Sequence, residues 1–274
     1  MSPRHTAVIT GATGGMGSAA VRALALDGWK VIAACRNTAA GDSLRSRILG
    51  EIPGADVDVR YIDLASFADV AAFVRDLPAG PVDALFNNAG IMNRYPKKTV
   101  DGYENTFQTN FLAPAILTSL MLPRLSRDAR IVSMVSLSAK YGRLRRDAFG
   151  GHRFSQLGSY ADSKCALLVY SAALARRLPA MGYPDIRVNV SDPWIVDTGM
   201  IRLDRWFDPV ADRIFRPVCF SPERGVAPAL RAMTTDRTGC YFVGGRTRRI
   251  PRWAGNHPLS DWLWDETSGI MARL

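Results

Sequence analysis

Short apolar stretches of the length of buried strands recur at 6–10, 30–35, 57–62, 82–86, 130–135 and 186–191. Between them apolar positions return at helical spacing, which predicts helices at 16–27, 39–49, 66–77, 103–125 and 159–178. Near-continuous apolar strands suit a sheet covered on both sides, and regular strand–helix alternation implies right-handed crossovers between parallel neighbours. The predicted class is therefore α/β, a doubly wound parallel sheet with helices on both faces. A helix at 222–234 and a strand at 240–243 would complete it. No repeat is visible, and Pro and Gly punctuate elements rather than marking a linker, so one domain over 1–274 is expected. The stretch 194–220 differs, mixing Trp194, Met200, Trp206 and other large apolar residues with charges beyond the sixth strand. Two readings stay open for it: a substrate cap over a cleft at the strand ends, or packing onto the sheet.

Composition narrows the class. A chain of 274 residues with 47% hydrophobic residues can bury one substantial core. No uninterrupted apolar run reaches the roughly 18 residues of a spanning helix, and Met1–His5 leads directly into the first strand. A cytoplasmic protein with no integral membrane association is expected. The charge of +10, from 35 Lys and Arg against 25 Asp and Glu, favours anions such as a phosphorylated cofactor. The arginines are scattered apart from clusters at Arg143, Arg145, Arg146 and at Arg246, Arg248, Arg249, so no specific nucleic-acid partner is expected. Cys35, Cys165, Cys219 and Cys240 lack metal-ligand spacing, and three histidines give little support to zinc, so no metal is assigned. Cys165 lies close enough to Tyr160 and Lys164 for alkylation to inhibit indirectly.

The chemistry begins at Thr10-Gly11-Ala12-Thr13-Gly14-Gly15-Met16-Gly17, directly after the first strand. A glycine turn from strand into helix lets backbone N–H groups meet a dinucleotide pyrophosphate, as in Rossmann-type sheets. Gly11, Thr13, Gly15, Met16 and Gly17 are the candidate residues there. The second strand ends in Arg36-Asn37, where an NAD site carries an acid, and a guanidinium fork suits the extra phosphate of NADP(H). A solvent-facing arginine is the alternative. Asp63 and Leu64 after the third strand are candidates for the adenine end, and Asn88, Ala89 and Gly90 for a turn beside the cofactor. Tyr160 and Lys164 lie four residues apart on one helical face, where an ammonium favours the phenolate and a tyrosine can pass a proton to a carbonyl oxygen.

Taken in order, TGxxxGxG at 10–17, Asp63-Leu64, Asn87-Asn88-Ala89-Gly90, Asn110, Ser136 and Tyr160xxxLys164 resemble the short-chain dehydrogenase/reductase family over nearly the whole chain. Finer features, including Ala34-Cys35-Arg36-Asn37 and Gly239-Cys240-Tyr241-Phe242, resemble its retinol-dehydrogenase-like and carbonyl-reductase branch. The resemblance implies that Ser136 orients the substrate oxygen, Tyr160 acts as acid and base, Lys164 holds the cofactor and activates the tyrosine, and Asn110 supports a proton-relay water. Ser138 is the alternative serine and a candidate substrate contact. Pro193, Ile195 and Thr198 are expected against the nicotinamide, although Pro193-Trp194 replaces the family's Pro-Gly turn. Phe154, Trp194, Met200 and Trp206 are candidate substrate contacts.

The expected activity is NADPH-dependent reduction of a hydrophobic ketone or aldehyde, reversible with the alcohol. The alternative is an inactive NADP-binding redox sensor or structural protein. The partners expected are a small hydrophobic carbonyl or alcohol and, as a candidate, a second copy of the chain. The 23 residues between Ser136 and Tyr160 exceed the family's shorter form, so 143–159 is expected at the substrate entrance, with a plain surface excursion as the alternative.

Overall fold

The computed structural model describes residues 5–146, 154–194 and 221–274. Within them the chain runs β1 (Thr6–Thr10), α1 (Gly15–Leu26), β2 (Lys30–Cys35), α2 (Thr38–Glu51), β3 (Asp56–Tyr61), α3 (Phe67–Arg75) and β4 (Val82–Asn87). Next come α4 (Asn105–Phe107), a π-helical turn (Gln108–Leu112), α5 (Ala113–Met121), a 3₁₀ turn (Leu122–Arg124) and β5 (Leu125–Met134). A second 3₁₀ turn (Leu137–Tyr141) precedes α6 (Gln156–Arg177) and β6 (Arg187–Asp192). The chain closes with α7 (Pro222–Met233), β7 (Cys240–Val243), β8 (Arg246–Arg249), α8 (Arg252–Gly255) and α9 (Ser260–Met271). Side chains at the element boundaries start several helices: Asn37 accepts from Ala40 N at 3.0 Å, Ser66 from Asp69 N at 3.2 Å and Ser155 from Gly158 N at 3.0 Å.

The sheet order is β3-β2-β1-β4-β5-β6-β7-β8, parallel through β7 and antiparallel at β8. The doubly wound reading therefore holds. Strand alternation divides the core between two faces. Val8, Ile32 and Leu85 pack with Phe111, Leu117 and Leu167 on one side, while Ala7, Ile9, Val31 and Ala33 pack with Val21, Leu24 and Val226 on the other. Fully buried side chains such as Ile9, Phe86 and Phe111 each contribute about 1.5–3 kcal/mol of apolar burial, enough in sum to hold the strand ends rigid. Because β1 is flanked by β2 and β4, the order reverses between β1 and β4, and a crevice opens at their carboxyl ends.

Three features depart from the pattern read in the sequence. The helix expected over 103–125 is interrupted, because Pro114 has no N–H for the carbonyl four residues back and the ladder widens so that Ala113 N bonds Gln108 O. β5 starts at Leu125, which pairs with Val82 before a register irregularity brings Arg130 opposite Ala84. The chain also adds β8 across a Gly244-Gly245 turn and then α8 and α9. In α9, Trp264 stacks on Tyr170 of α6 with centroids 5.3 Å apart, and Leu263 is fully buried. The 194–220 segment, apart from Trp194, and residues 147–153 of the 143–159 insertion lie outside the described residues.

Candidate active site

The crevice is an open cleft of about 580 Å³, lined by Gly11, Thr13, Gly14, Gly15, Met16 and Gly17 from the β1–α1 turn, Arg36 and Asn37 after β2, Asp63 and Leu64 after β3, and Asn88, Ala89 and Gly90 after β4. All of these but Gly14 are among the residues that the sequence named for the cofactor. Gly11 has φ +64°, and a Cβ there would lie 2.8 Å from Ala89 Cα. At Gly17 a Cβ would meet Gly11 O at 2.1 Å, so only glycine allows α1 to start this close to the strand. Thr10 Oγ1 fastens the two halves by accepting from Asn88 N and Ala89 N, both at 3.1 Å, and donating to Phe86 O at 3.4 Å. Asn88 Nδ2 returns the tie to Thr10 O at 2.9 Å and Gly11 O at 3.3 Å.

The cleft fits a dinucleotide on its own geometry. The cradle is closed to any side chain at Gly11 and Gly17, α1 opens toward it with N-terminal N–H groups, and the buried Asn88 Oδ1 has no partner among the described residues. Arg36 is exposed at its rim and makes no ion pair with the described residues. Asn37 and Asp63 have local duties as well, since Asn37 Oδ1 caps α2 and Asp63 Oδ1 accepts from Ala65 N at 2.9 Å.

The catalytic candidates converge beside this cleft. Lys164 on α6 is 2% exposed, and its Nζ donates to Met134 O at the end of β5 at 2.8 Å. Asn110, in the π turn, accepts from Ile91 N at 2.8 Å and donates to Ile91 O at 2.9 Å and Ser163 Oγ at 3.0 Å. Ser163 in turn donates to Tyr160 O at 2.7 Å, so the Asn110 amide joins the turn after β4 to the start of α6. Both of its amide hydrogens are committed to protein acceptors. The relay-water role rests on resemblance alone. Ser136 hydrogen-bonds Tyr160 and also accepts from Ser138 N at 3.2 Å; the buried Ser138 hydroxyl has no partner among the described residues.

The electrostatics correct one expectation: burial, rather than the Lys164 charge, sets the direction of the Tyr160 shift, and the Lys164 Nζ is turned to Met134 O and lies 5.8 Å from the phenol ring centroid. Burial dominates and pushes Tyr160 up to about 12, opposed by the Ser136 hydrogen bond and reinforced by Asp192. Burial brings Lys164 down to about 8 while Asp192 pulls it upward. Tyr160 is therefore a protonated acid at neutral pH. A second correction concerns Cys165, which is 1% exposed and whose thiol burial pushes up to about 12; that is an inert thiol rather than a target for alkylation.

Trp194 carries the only positive φ of a non-glycine residue among the described residues, +62°. The departure from Pro-Gly therefore keeps the glycine-like backbone turn despite the indole. Pro193 is half-buried, Trp194 is 49% exposed, and Phe154 is half-buried one residue before the Ser155 cap. Ile195, Thr198, Met200 and Trp206 lie outside the described residues. Sequence reasoning missed Asp192, which ends β6 inside the site, and its partner Tyr241. A carboxylate at the end of a central parallel strand was the available signal.

A doubly wound sheet with a phosphate cradle at its switch point and a Ser-Tyr-Lys group alongside defines a dinucleotide-dependent oxidoreductase. The chain belongs to the short-chain dehydrogenase family, whose model, described as short chain dehydrogenase, matches residues 5–206. It is 36% identical to mouse (Mus musculus) polyprenol dehydrogenase over 90% of this chain and 76% of that protein. It is 32% identical to mouse retinol dehydrogenase 12 over 98% of this chain and 87% of the relative. Among solved structures, an uncharacterized protein from Mycobacterium Paratuberculosis superposes with a TM-score of 0.81 at 29% identity, over 98% of this chain and 93% of the other. A blue fluorescent protein from a metagenomic library, in complex with NADPH, superposes with a TM-score of 0.68 at 28% identity, over 88% and 97%.

Proposed function

We propose that this chain is an NADP(H)-dependent reductase that converts a hydrophobic ketone or aldehyde to its alcohol, reversibly, in the cytoplasm. The observation that carries the cofactor choice is Arg36. It is an exposed guanidinium after β2 with no ion pair among the described residues, at a position where an acid would select NAD. The NADPH complex of the blue fluorescent protein supports the same reading. The names of two relatives, polyprenol dehydrogenase and retinol dehydrogenase 12, support the choice of a hydrophobic substrate. The bound cofactor supplies the hydride in reduction and accepts it in oxidation.

The protein's own residues do the rest. Backbone N–H groups of the β1–α1 turn hold the pyrophosphate, Arg36 the additional phosphate, and Lys164 the ribose hydroxyls. Ser136 orients the substrate oxygen. Tyr160, protonated at neutral pH, gives that oxygen its proton from the phenol, and takes it back in the alcohol direction. Phe154 and Trp194 lie against the apolar body of the substrate in this reading, and one domain carries the whole reaction. A homodimer is the proposed assembly.

The test is steady-state turnover of medium- and long-chain isoprenoid aldehydes and their alcohols, followed by nicotinamide absorbance with NADPH and NADH. The reading expects kcat/KM higher with NADPH and higher for long apolar substrates than for short polar ones. NADPH binding with no turnover across the panel points instead to a cofactor-binding sensor.

A further inference from the structure

Two ionic side chains, Lys164 and Asp192, are fully buried among the described residues, at 2% and 1% exposure. Both belong to the same site. Asp192 ends β6, and its two oxygens are held from different directions. Tyr241 on the neighbouring strand β7 donates its hydroxyl to Oδ2 at 2.5 Å, and Trp194 N donates to Oδ1 at 2.8 Å. The second bond closes the turn in which Trp194 takes φ +62°, a conformation that costs about 1–2 kcal/mol for a residue with a Cβ and persists only where neighbours enforce it. Asp192 thus fixes the backbone at the exit of β6. Its neighbour Ser191 lies opposite Met134 in the β5–β6 register, and Met134 O takes the Lys164 hydrogen bond, which brings the carboxylate and the ammonium to the same strand ends.

We propose that Asp192, held by Tyr241, is a positioning residue for the active site. Its carboxylate keeps the buried Lys164 ammonium charged and locks the Pro193-Trp194 turn against the end of β6.

The physical case begins with Lys164. A buried ammonium is costly unless paired, and its hydrogen bond goes to a neutral carbonyl, Met134 O. Burial alone drives it toward the neutral amine, and the influence that opposes burial is Asp192. The carboxylate is itself raised by burial and drawn back by the Tyr241 hydrogen bond, by Trp194 N and by the Lys164 charge. The groups that act on the pair are therefore Lys164 and Tyr160 from α6 and Tyr241 from β7. Tyr241 is pushed far above the ordinary phenol range by burial and by Asp192, so it remains a donor at any working pH. Asp192 also adds to the burial that raises Tyr160.

This inference rests on the assignment of Tyr160 and Lys164 to the reaction, so the test separates pairing from chemistry. Asp192→Asn keeps the shape: its carbonyl still accepts from Trp194 N, its amide can donate to the Tyr241 oxygen, and only the charge is lost. The chain has five lysines, and the Lys164 side-chain resonance is assigned by its loss in Lys164→Arg. Its midpoint is then read by heteronuclear NMR titration, without substrate. The expected midpoint in Asp192→Asn lies at least about one pH unit below that of the wild type. The high-pH limb of kcat/KM for reduction and the pH dependence of the NADPH dissociation constant move down with it. Tyr241→Phe serves if Asp192→Asn does not fold. There the step in the Lys164 signal that accompanies protonation of Asp192 moves to higher pH, because the carboxylate has lost a donor. An unmoved Lys164 midpoint in folded Asp192→Asn, an unmoved step in Tyr241→Phe, or activity lowered evenly at every pH overturns the proposal. Loss of turnover in Tyr160→Phe is read separately and bears on the reaction assignment alone.

Discussion

Thr10→Val removes one oxygen from the junction that builds the cofactor cradle. Thr10 is 1% exposed, and its hydroxyl accepts from Asn88 N and Ala89 N, each at 3.1 Å, while donating to Phe86 O. Valine fills the same volume, so packing is nearly preserved while Ala89 N loses its acceptor; Asn88 N keeps Phe86 O at 2.9 Å. Leaving a buried donor unpaired costs about 1–3 kcal/mol, reduced where the turn opens to water. The extra buried methyl returns less than about 1 kcal/mol. A net loss of about 1–2 kcal/mol is expected in urea unfolding, together with weaker NADPH binding, because Ala89 sits against Gly11. Thr10→Ser is the control: it keeps the hydroxyl and deletes a methyl, for a loss of about 1 kcal/mol with NADPH binding unchanged. If NADPH binding weakens no more in Val than in Ser, or Val loses less than about 0.5 kcal/mol, the hydroxyl does not join β1 to the turn after β4 as argued.

Arg36→Asp is expected to reverse the cofactor preference, since a carboxylate repels the additional phosphate and accepts from ribose hydroxyls; the ratio of kcat/KM for NADPH and NADH measures it. The pH dependence of stability has a definite sign at Lys164. Its folded pKa of about 8 lies below the ordinary 10.5, so the unfolded chain binds more protons between these values. Stability relative to Lys164→Met rises with pH across that window, by at most about 1.4 kcal/mol per unit, and chemical denaturation at pH 7.5 to 10 checks it. Alkylation with iodoacetamide under native conditions is expected to leave Cys165 unmodified by mass spectrometry, given its burial and raised pKa.

The parts legible in the sequence were those written locally. β1, the glycine turn and α1 form one contiguous pattern, and Tyr160 and Lys164 share a helical face through their spacing alone. The parallel, doubly wound class followed from alternation with the crossover rule. What stayed hidden depends on contacts distant in sequence or on an element without an apolar signature. Asp192 and Tyr241 meet across paired strands 49 residues apart, and nothing local marks either as part of the site. β8 reads Arg-Thr-Arg-Arg, so its apolar alternation is absent and its hydrogen bonds to β7 define it. The direction of the Tyr160 shift was hidden for a related reason. Spacing fixes which face the two residues share, whereas burial and the Met134 carbonyl decide how far the lysine charge reaches the phenol.

The central claim, that Tyr160 delivers the proton in an NADPH-dependent reduction, is tested most directly by single-turnover kinetics of Tyr160→Phe with NADPH at saturation. The account predicts a rate lower by about 10²-fold or more with an NADPH dissociation constant within about threefold of the wild type, because the phenol oxygen and not the ring does the work. A rate within a fewfold of the wild type, in a variant that still binds NADPH, contradicts it.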